Sequence, residues 1–524
     1  MPPSPEAPTP SPKPRSASID RRRLLVGAAA TGLGGASLIP LLGQGVFAQD
    51  AATPEASPEA SPNAPHGGGH GMAMASPEAS TGLGDLPAIQ FTAGEPLREV
   101  PTIASKDGVL EVTLDAGVRE TTVGGKTVTV ANFNGEFPGP TWVANPGDTI
   151  RVHLQNNLDE WTNLHTHGLH VSPLDNGDNV FVRIDPGTSF DYEYQLPVTH
   201  PDGVYWYHPH PHGITEKQNT SGMVGTLLIG GGLDKVPGVE GLTRQHLFLQ
   251  LNQFAENGMQ VPIAEQTPAK QVRLVNGQYQ PVISIRPGET QRWSVSNASS
   301  NDFFQISLGG HTLYQIAKDG NAFAEIQPQG QILLAPAERV EFLVQALPTP
   351  GTWEFRTLQW GVNDQAEPDV LLATMEIAGD VVATQPLPAQ LIPFVDLRDL
   401  PIDKERIIVF SPAPVPWYQL INDTPFDPDV VNETVKLGAL EKWTIQNTTT
   451  DIHPFHIHIN DFQVISINGE PVDAPGWYDT VSVPALGEIQ ILHQFLDFTG
   501  KYVFHCHILM HEDSGMMAVV EVVE

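Results

Sequence analysis

The chain has 524 residues, enough for several domains; 40% are hydrophobic, 17% are charged, and 48 glycines and 48 prolines mark a loop-rich rather than a helical protein. Net charge is −33, and past residue 48 there are 22 basic against 58 acidic side chains, which argues against nucleic acid or an anionic membrane surface as partner. The one cysteine, Cys506, excludes an intramolecular disulfide, so the fold must stand on its apolar core.

Residues 1–48 carry Arg21, Arg22 and Arg23, then a Gly/Ala-diluted apolar stretch closed by Val46-Phe47-Ala48, a small-residue cleavage site. This resembles a twin-arginine export signal, so a periplasmic or extracellular location is expected, with no membrane insertion of the mature chain. Residues 49–88 form a low-complexity linker in which His66, His70, Met72 and Met74 offer soft metal ligands or serve only as spacer.

From residue 89 the sequence repeats. "NGEFPGPTWVANPGDTIRVHLQN" ends at Asn156, "NGQYQPVISIRPGETQRWSVSN" at Asn297 and "NDTPFDPDVVNETVKLGALEKWTIQN" at Asn447, each with a turn glycine nine residues earlier (Gly147, Gly288, Gly438). Alternating apolar and polar residues bounded by Gly and Pro predict half-buried strands, and no long helical period is present. The expected organisation is all-β: three consecutive Greek-key sandwich or barrel domains over 89–236, 237–385 and 386–524.

Nine residues past each asparagine stand His165 (with His167), Ile306 (with Leu308) and His456 (with His458). Five and seven residues past the glycine of the last strands "GVYWYHPH", "GTWEFRTL" and "GKYVFHCH" stand His208 and His210, Arg356 and Leu358, and His505 and His507. The outer repeats keep four H-x-H pairs and the middle repeat has none. Residues two apart on a strand share a face, so each pair aims two imidazoles at one spot. Two pairs from the first repeat facing two from the third would build an eight-imidazole metal nest.

Imidazole suits copper, zinc, iron and nickel alike; the thiol discriminates. Cys506 lies between His505 and His507 and so points to the opposite face, toward His453, His511 and Met516. Two imidazoles, a thiolate and a weak thioether make a blue-copper electron-transfer set, whereas structural zinc asks for more cysteines. The other histidines, His153, His200, His246, His311 and His493, read as ordinary surface or core residues, and His170 and His212 as neighbours of motif histidines. Trp161, Trp206 and Trp477 read as core, and Met510 and Met517 as packing.

"HTHG", "HPHPHG", "HPFHIH" and "HCHILMHEDSGMM" resemble, in order, the four copper motifs of the multicopper oxidase family, and the layout is similar to its three-cupredoxin members, bacterial laccases and cuprous oxidases. The resemblance implies four copper ions: type 1 on His453, Cys506, His511 and Met516, type 2 on His165 and His456, and a type 3 pair on His167, His208, His210, His458, His505 and His507. It implies oxidation of a small reductant (a phenol, an aromatic amine or a metal ion) coupled to reduction of O₂ to water, in a chain expected to be a monomer. Glu512 and Asp178, with Asp175 as the alternative to the latter, are candidate proton donors. A cuprous oxidase is the rival reading: Asp513 follows "HE" as in those enzymes, but Asp451 sits at a different offset from His453 and no methionine-rich insertion is present. A copper nitrite reductase, or a non-catalytic copper-binding protein, would not need all four motifs.

Overall fold

The computed structural model describes residues 80–361, 365–414, 418–472 and 476–524; the expected export segment and the His/Met spacer lie outside them. Six principal sheets fall in three successive pairs, over 102–229, 243–377 and 404–523. Each pair has the same plan. A first strand runs parallel to the strand that ends at the repeated asparagine: Val109–Val123 beside Thr149–Asn156, Thr243–Asn252 beside Thr290–Asn297, and Lys404–Pro412 beside Leu440–Asn447. A short strand then pairs antiparallel with the last long one: His165–His167 with Gly203–His208, Phe304–Leu308 with Gly351–Leu358, and His453–Ile457 with Gly500–Cys506.

The alternation in the sequence sets which face is buried. In Thr149–Asn156, Ile150, Val152 and Leu154 enter the first core while Arg151 and His153 face out. In Leu440–Asn447, Trp443 and Ile445 enter the third. Thr290–Asn297 is buried along its whole length because its outward Arg292 is covered and paired, with Glu341 at 2.6 Å and Asp234 at 2.7 Å. Gly147, Gly288 and Gly438 adopt φ of 90°, 79° and 82°, the left-handed region a Cβ disfavours, and so turn the chain into each of these strands.

Two placements differ from the sequence reading. Residues 80–88, within the expected linker, include a segment held against the middle repeat, where the Glu265 carboxylate accepts the N–H groups of Thr81 (2.6 Å) and Gly84 (3.1 Å). From there residues 89–97 run along the middle repeat, with Ile89 N–H on Phe254 O (3.0 Å) and Leu97 N–H on Val282 O (2.8 Å), before the first sheet begins at Thr102. The second difference is one of register. His165 stands opposite His208 and His456 opposite His505, but Ile306 stands opposite Thr357, with Arg356 beside Ser307. The pairing of Phe304–Leu308 with Gly351–Leu358 is thus one residue out of step with its outer counterparts, and along its other edge Gly351–Leu358 has an irregularity between Phe355 and Arg356. Thr357, not Arg356, is therefore the spatial counterpart of His208 and His505, and Arg356 pairs with Asp369 and Glu354 near the surface.

Among the described residues no helix is long and apolar enough to cross a membrane.

Candidate metal centre

The strand Gly500–Cys506 separates two sites by its alternation. On one side, Cys506 Sγ lies 3.5 Å from His453 Nδ1 and 3.7 Å from His511 Nδ1. The short helix Leu509–Asp513 folds His511 back to this position, and Met516, fully buried in the same core, accepts the Cys506 N–H on its carbonyl at 3.1 Å. Burial pushes the Cys506 thiol well above its usual range and holds His453 well below its own. The imidazole is thus neutral, and the thiol proton must leave when a metal takes its place.

On the other side, the first and third repeats meet ring to ring. His165 stacks on His458 (centroids 3.8 Å) and His167 on His456 (3.9 Å). His505 Nε2 lies 3.2 Å from His210 Nε2 and 3.3 Å from His458 Nε2, so three ring nitrogens converge on one point. His208 and His507 complete the seam, with His507 5.0 Å from His167 and 5.6 Å from His208 between centroids. Burial, together with the neighbouring imidazoles, keeps these rings neutral near pH 7; His210 and His505 fall to about 4.

The donor set fits copper on a specific observation. His165 donates Nδ1–H to Asp178 Oδ2 (2.8 Å), His456 to Asp479 O (2.8 Å) and His208 to Pro209 O (2.9 Å). Those bonds fix each tautomer and leave Nε2 of all three buried, unprotonated and without a protein partner. Orphaned buried acceptors of this kind are costly unless a cation satisfies them.

Each acid singled out in the sequence has a distinct setting. Asp178 is buried, also accepts Thr166 N–H (2.8 Å) and hydroxyl (3.0 Å), and lies 3.8 Å from His458 Nδ1; burial pushes its carboxyl up to about 7. Asp175, the alternative, is exposed with φ 52°. Glu512 is fully buried, 3.1 Å from His505 Nδ1 and 3.5 Å from His210 Nδ1, and its carboxyl is raised by burial. Of the other histidines, His170 bridges Ile459 O and Asp497, His212 packs on Phe426, and His493 is enclosed by aromatic rings. Trp206 is core, as expected, but also stacks on His208 at 4.2 Å.

Sequence reading missed Asp479 and Arg339. Asp479 Oδ1 accepts from His167 Nε2 at 3.2 Å, and Arg339 of the middle repeat grips both Asp479 oxygens at 2.8 and 2.6 Å. The same guanidinium donates to Val204 O of the first repeat at 3.1 Å. No local pattern marks either residue, since "WYDT" and "AERVEF" carry no recognisable motif.

Family models described as multicopper oxidase match residues 116–232, 206–375 and 401–524. The chain belongs to the multicopper oxidase family. Relatives include a multicopper oxidase of Staphylococcus haemolyticus, 29% identical over 74% of this chain and 83% of that protein, and a laccase of Bacillus subtilis, 25% identical over 75% of this chain and 90% of that protein. A Campylobacter jejuni multicopper oxidase described as a metallo-oxidase superposes with a TM-score of 0.75 at 26% identity, covering 84% of this chain and 98% of that one. A laccase-like oxidase from Ochrobactrum sp. gives 0.71 at 26%, covering 82% and 100%. This multicopper oxidase is accordingly an oxidoreductase built of three cupredoxin-like domains, with copper as cofactor and O₂ as electron acceptor.

Proposed function

We propose that this multicopper oxidase is a laccase-like enzyme of small organic reductants, such as phenols and aromatic amines, holding four coppers. The observation that carries the substrate class is the fate of Asp513, the acid that hinted at a metal-oxidase site. Its carboxylate accepts three backbone N–H groups of the first repeat, from Gly213 (2.8 Å), Thr215 (3.0 Å) and Glu216 (2.8 Å). A half-buried acid so occupied caps a helix across the domain seam and is a poor ligand for an incoming metal ion. The rival cuprous-oxidase reading is left with Asp451 alone, at an offset unlike that of the metal oxidases.

His453, Cys506, His511 and Met516 would hold a type 1 copper, His165 and His456 a type 2, and the six remaining seam histidines a type 3 pair. Bound copper would supply one-electron acceptance at the thiolate and multielectron reduction of O₂ at the seam. The chain contributes the rest. Cys506 and the His505 and His507 peptide units join the two sites through one residue of strand. Burial of every seam histidine excludes bulk water. Asp178 holds the Nδ1 proton of His165 through Oδ2, and its carboxyl, raised to about 7, can hold or release a proton near neutrality. Glu512 can do the same beside His505 Nδ1.

Export through the twin-arginine route is part of this reading, supported by Arg21–Arg23 and the Val46-Phe47-Ala48 site. A monomer is proposed as well. The test of substrate class is oxygen uptake by copper-loaded protein on a phenol, an aromatic amine and Cu(I). Turnover on the organic substrates is expected to exceed that on Cu(I), and a strong Cu(I) preference would refute the laccase-like reading. An Asp178→Asn variant with full turnover and an unchanged pH profile would remove Asp178 from the proton path.

A further inference from the structure

The asparagine that ends the same strand in each repeat makes the same turn three times. Its Nδ2 donates to two loop carbonyls: Glu160 and Ile184 for Asn156 (2.9 Å each), Asp302 and Leu334 for Asn297 (2.8 and 3.1 Å), Asp451 and Pro484 for Asn447 (2.7 and 3.0 Å). Its Oδ1 accepts the backbone N–H two residues on, from Leu158 (2.9 Å), Ser299 (3.0 Å) and Thr449 (2.9 Å). This is a side-chain-built turn, and alone it explains the asparagine as structure.

What differs is the residue two positions on. In the first repeat Leu158 has no hydroxyl. In the middle repeat Ser299 spends its hydroxyl on the turn itself, at 2.6 Å from Asn297 Oδ1 and 3.0 Å from Asp302 O. In the third repeat Thr449 Oγ1 lies 2.9 Å from Asn447 Oδ1 and also 2.7 Å from His453 Nε2. A hydroxyl has one proton to give and two lone pairs to receive with. Asn447 Oδ1 at 2.9 Å and Asp451 O at 3.3 Å can only accept; with the Thr449 proton on the nearer of them, Oγ1 is left to accept from His453 Nε2–H and, at 3.3 Å, from Asp451 N–H. The ring proton thereby sits on Nε2, and the lone pair on Nδ1 faces Cys506 Sγ at 3.5 Å. The opposite tautomer would put Nδ1–H against the thiol and close the site to a metal.

We propose that Thr449 is a positioning residue of the type 1 site, which takes the Nε2 proton of His453 and so fixes that ligand's tautomer, ring orientation and basicity. The proposal rests on the reading of His453, Cys506 and His511 as a copper site. The fold's generic turn is reused in one repeat to seat a ligand: Thr449 is buried, and the turn bonds hold its hydroxyl in place before any metal arrives. A hydrogen bond to the far nitrogen makes an imidazole a stronger donor, favouring the oxidised metal, and loss of such support typically costs about 10–100-fold in metal affinity or activity.

The test uses the full chain with Thr449→Val, which keeps the shape and deletes the hydroxyl, Thr449→Ser, which restores it, and Ser299→Ala as a turn-only control. In copper-loaded protein, Thr449→Val is expected to raise the potential at which the blue absorption bleaches and to release type 1 copper to a chelator at least about 10-fold more readily. Thr449→Ser should match the parent, and Ser299→Ala should leave both readouts unmoved. A Thr449→Val protein with parental potential and copper retention would overturn the proposal, as would a Ser299→Ala variant that shifts both. Should Thr449→Val fail to fold, ¹⁵N-histidine spectra of the copper-free parent decide the matter: the proton on Nε2 of His453 is expected, and a proton on Nδ1 refutes the assignment. Absence of any blue band in copper-loaded parent would instead refute the type 1 reading, an outcome the copper-free spectrum distinguishes.

Discussion

The strands Phe304–Leu308 and His453–Ile457 occupy the same place in their sheets, and one has become plain core while the other lines a metal seam. Each pairs antiparallel with the last long strand of its repeat, and each follows the same asparagine turn. In the middle repeat Ile306 and Leu308 are buried among Phe304, Leu334 and Phe355. In the third, His456 and His458 are buried just as deeply and face His167 and His165 of the first repeat. Burial therefore does not distinguish the two. The difference is what lies opposite: the middle strand meets its own core, whereas the outer two meet each other. A buried imidazole with an orphaned nitrogen is costly unless a cation satisfies it, and the seam between the outer repeats gathers enough of them to hold one.

Removing the link that joins the two sites should have the largest effect. Cys506→Ser is expected to abolish the blue band and oxygen uptake while leaving the seam histidines able to bind copper, measured as copper per chain and as a residual seam signal by electron paramagnetic resonance. Retained turnover would show that electrons do not pass through the Cys506 strand.

The middle repeat is not idle, since it sends Arg339 into the seam. Arg339→Leu would strand the Asp479 carboxylate beside His167 with its counter-ion gone. Breaking a buried pair from one side costs about 3–5 kcal/mol, and a stability loss of that size is expected by chemical denaturation, with lowered copper content at the seam. Adding Asp479→Asn should recover part of the stability. An Arg339→Leu protein as stable as its parent would mean the pair is expendable.

How much of this was legible beforehand follows from the physics of each feature. The H-x-H pairs and Cys506 were readable because strand period two turns spacing directly into sidedness. The three repeats were readable because the turn glycines and asparagines are local requirements of the backbone. Arg356 was mis-set because a one-residue slip in one strand leaves no mark on glycine-to-residue counting, and Thr357 took its place. Arg339, Asp479 and Thr449 were invisible for a different reason. Their partners lie in other repeats or depend on a hydroxyl in a turn, and nothing in the local sequence encodes either.

The middle strand can also be given the imidazole it lacks. Leu308→His would bury an imidazole where no facing repeat offers ligands and where Phe355, not a histidine, stands across the sheet. The unsatisfied ring should cost about 1–3 kcal/mol and bind no additional copper. Gain of a further copper per chain would show that the fold position itself, rather than the seam, makes the site.

The smallest effect concerns the helix Thr215–Ser221, where all three repeats touch. Glu216 lies beside Asp513 of the third repeat and the Ser300 hydroxyl of the middle one; burial first, then the Asp513 charge, push its carboxyl up to about 7 from an ordinary 4.5, with Ser300 working the other way. Asp513 is likewise raised to about 7 by burial and by Glu512. A carboxyl whose folded pKa exceeds its unfolded one keeps its proton longer in the folded state. The folded chain therefore binds more protons between the two values, and stability falls as pH rises through that window. Copper-loaded protein should lose melting temperature from about pH 4.5 to about 7, with a plateau above. Glu216→Gln should flatten this slope without moving the blue band, since the residue touches the seam's frame and not its ligands. A parental slope in that variant would assign the pH dependence to Asp513 and its neighbours alone. It would then be the copper loop, rather than the junction of three repeats, that sets the pH at which the molecule loosens.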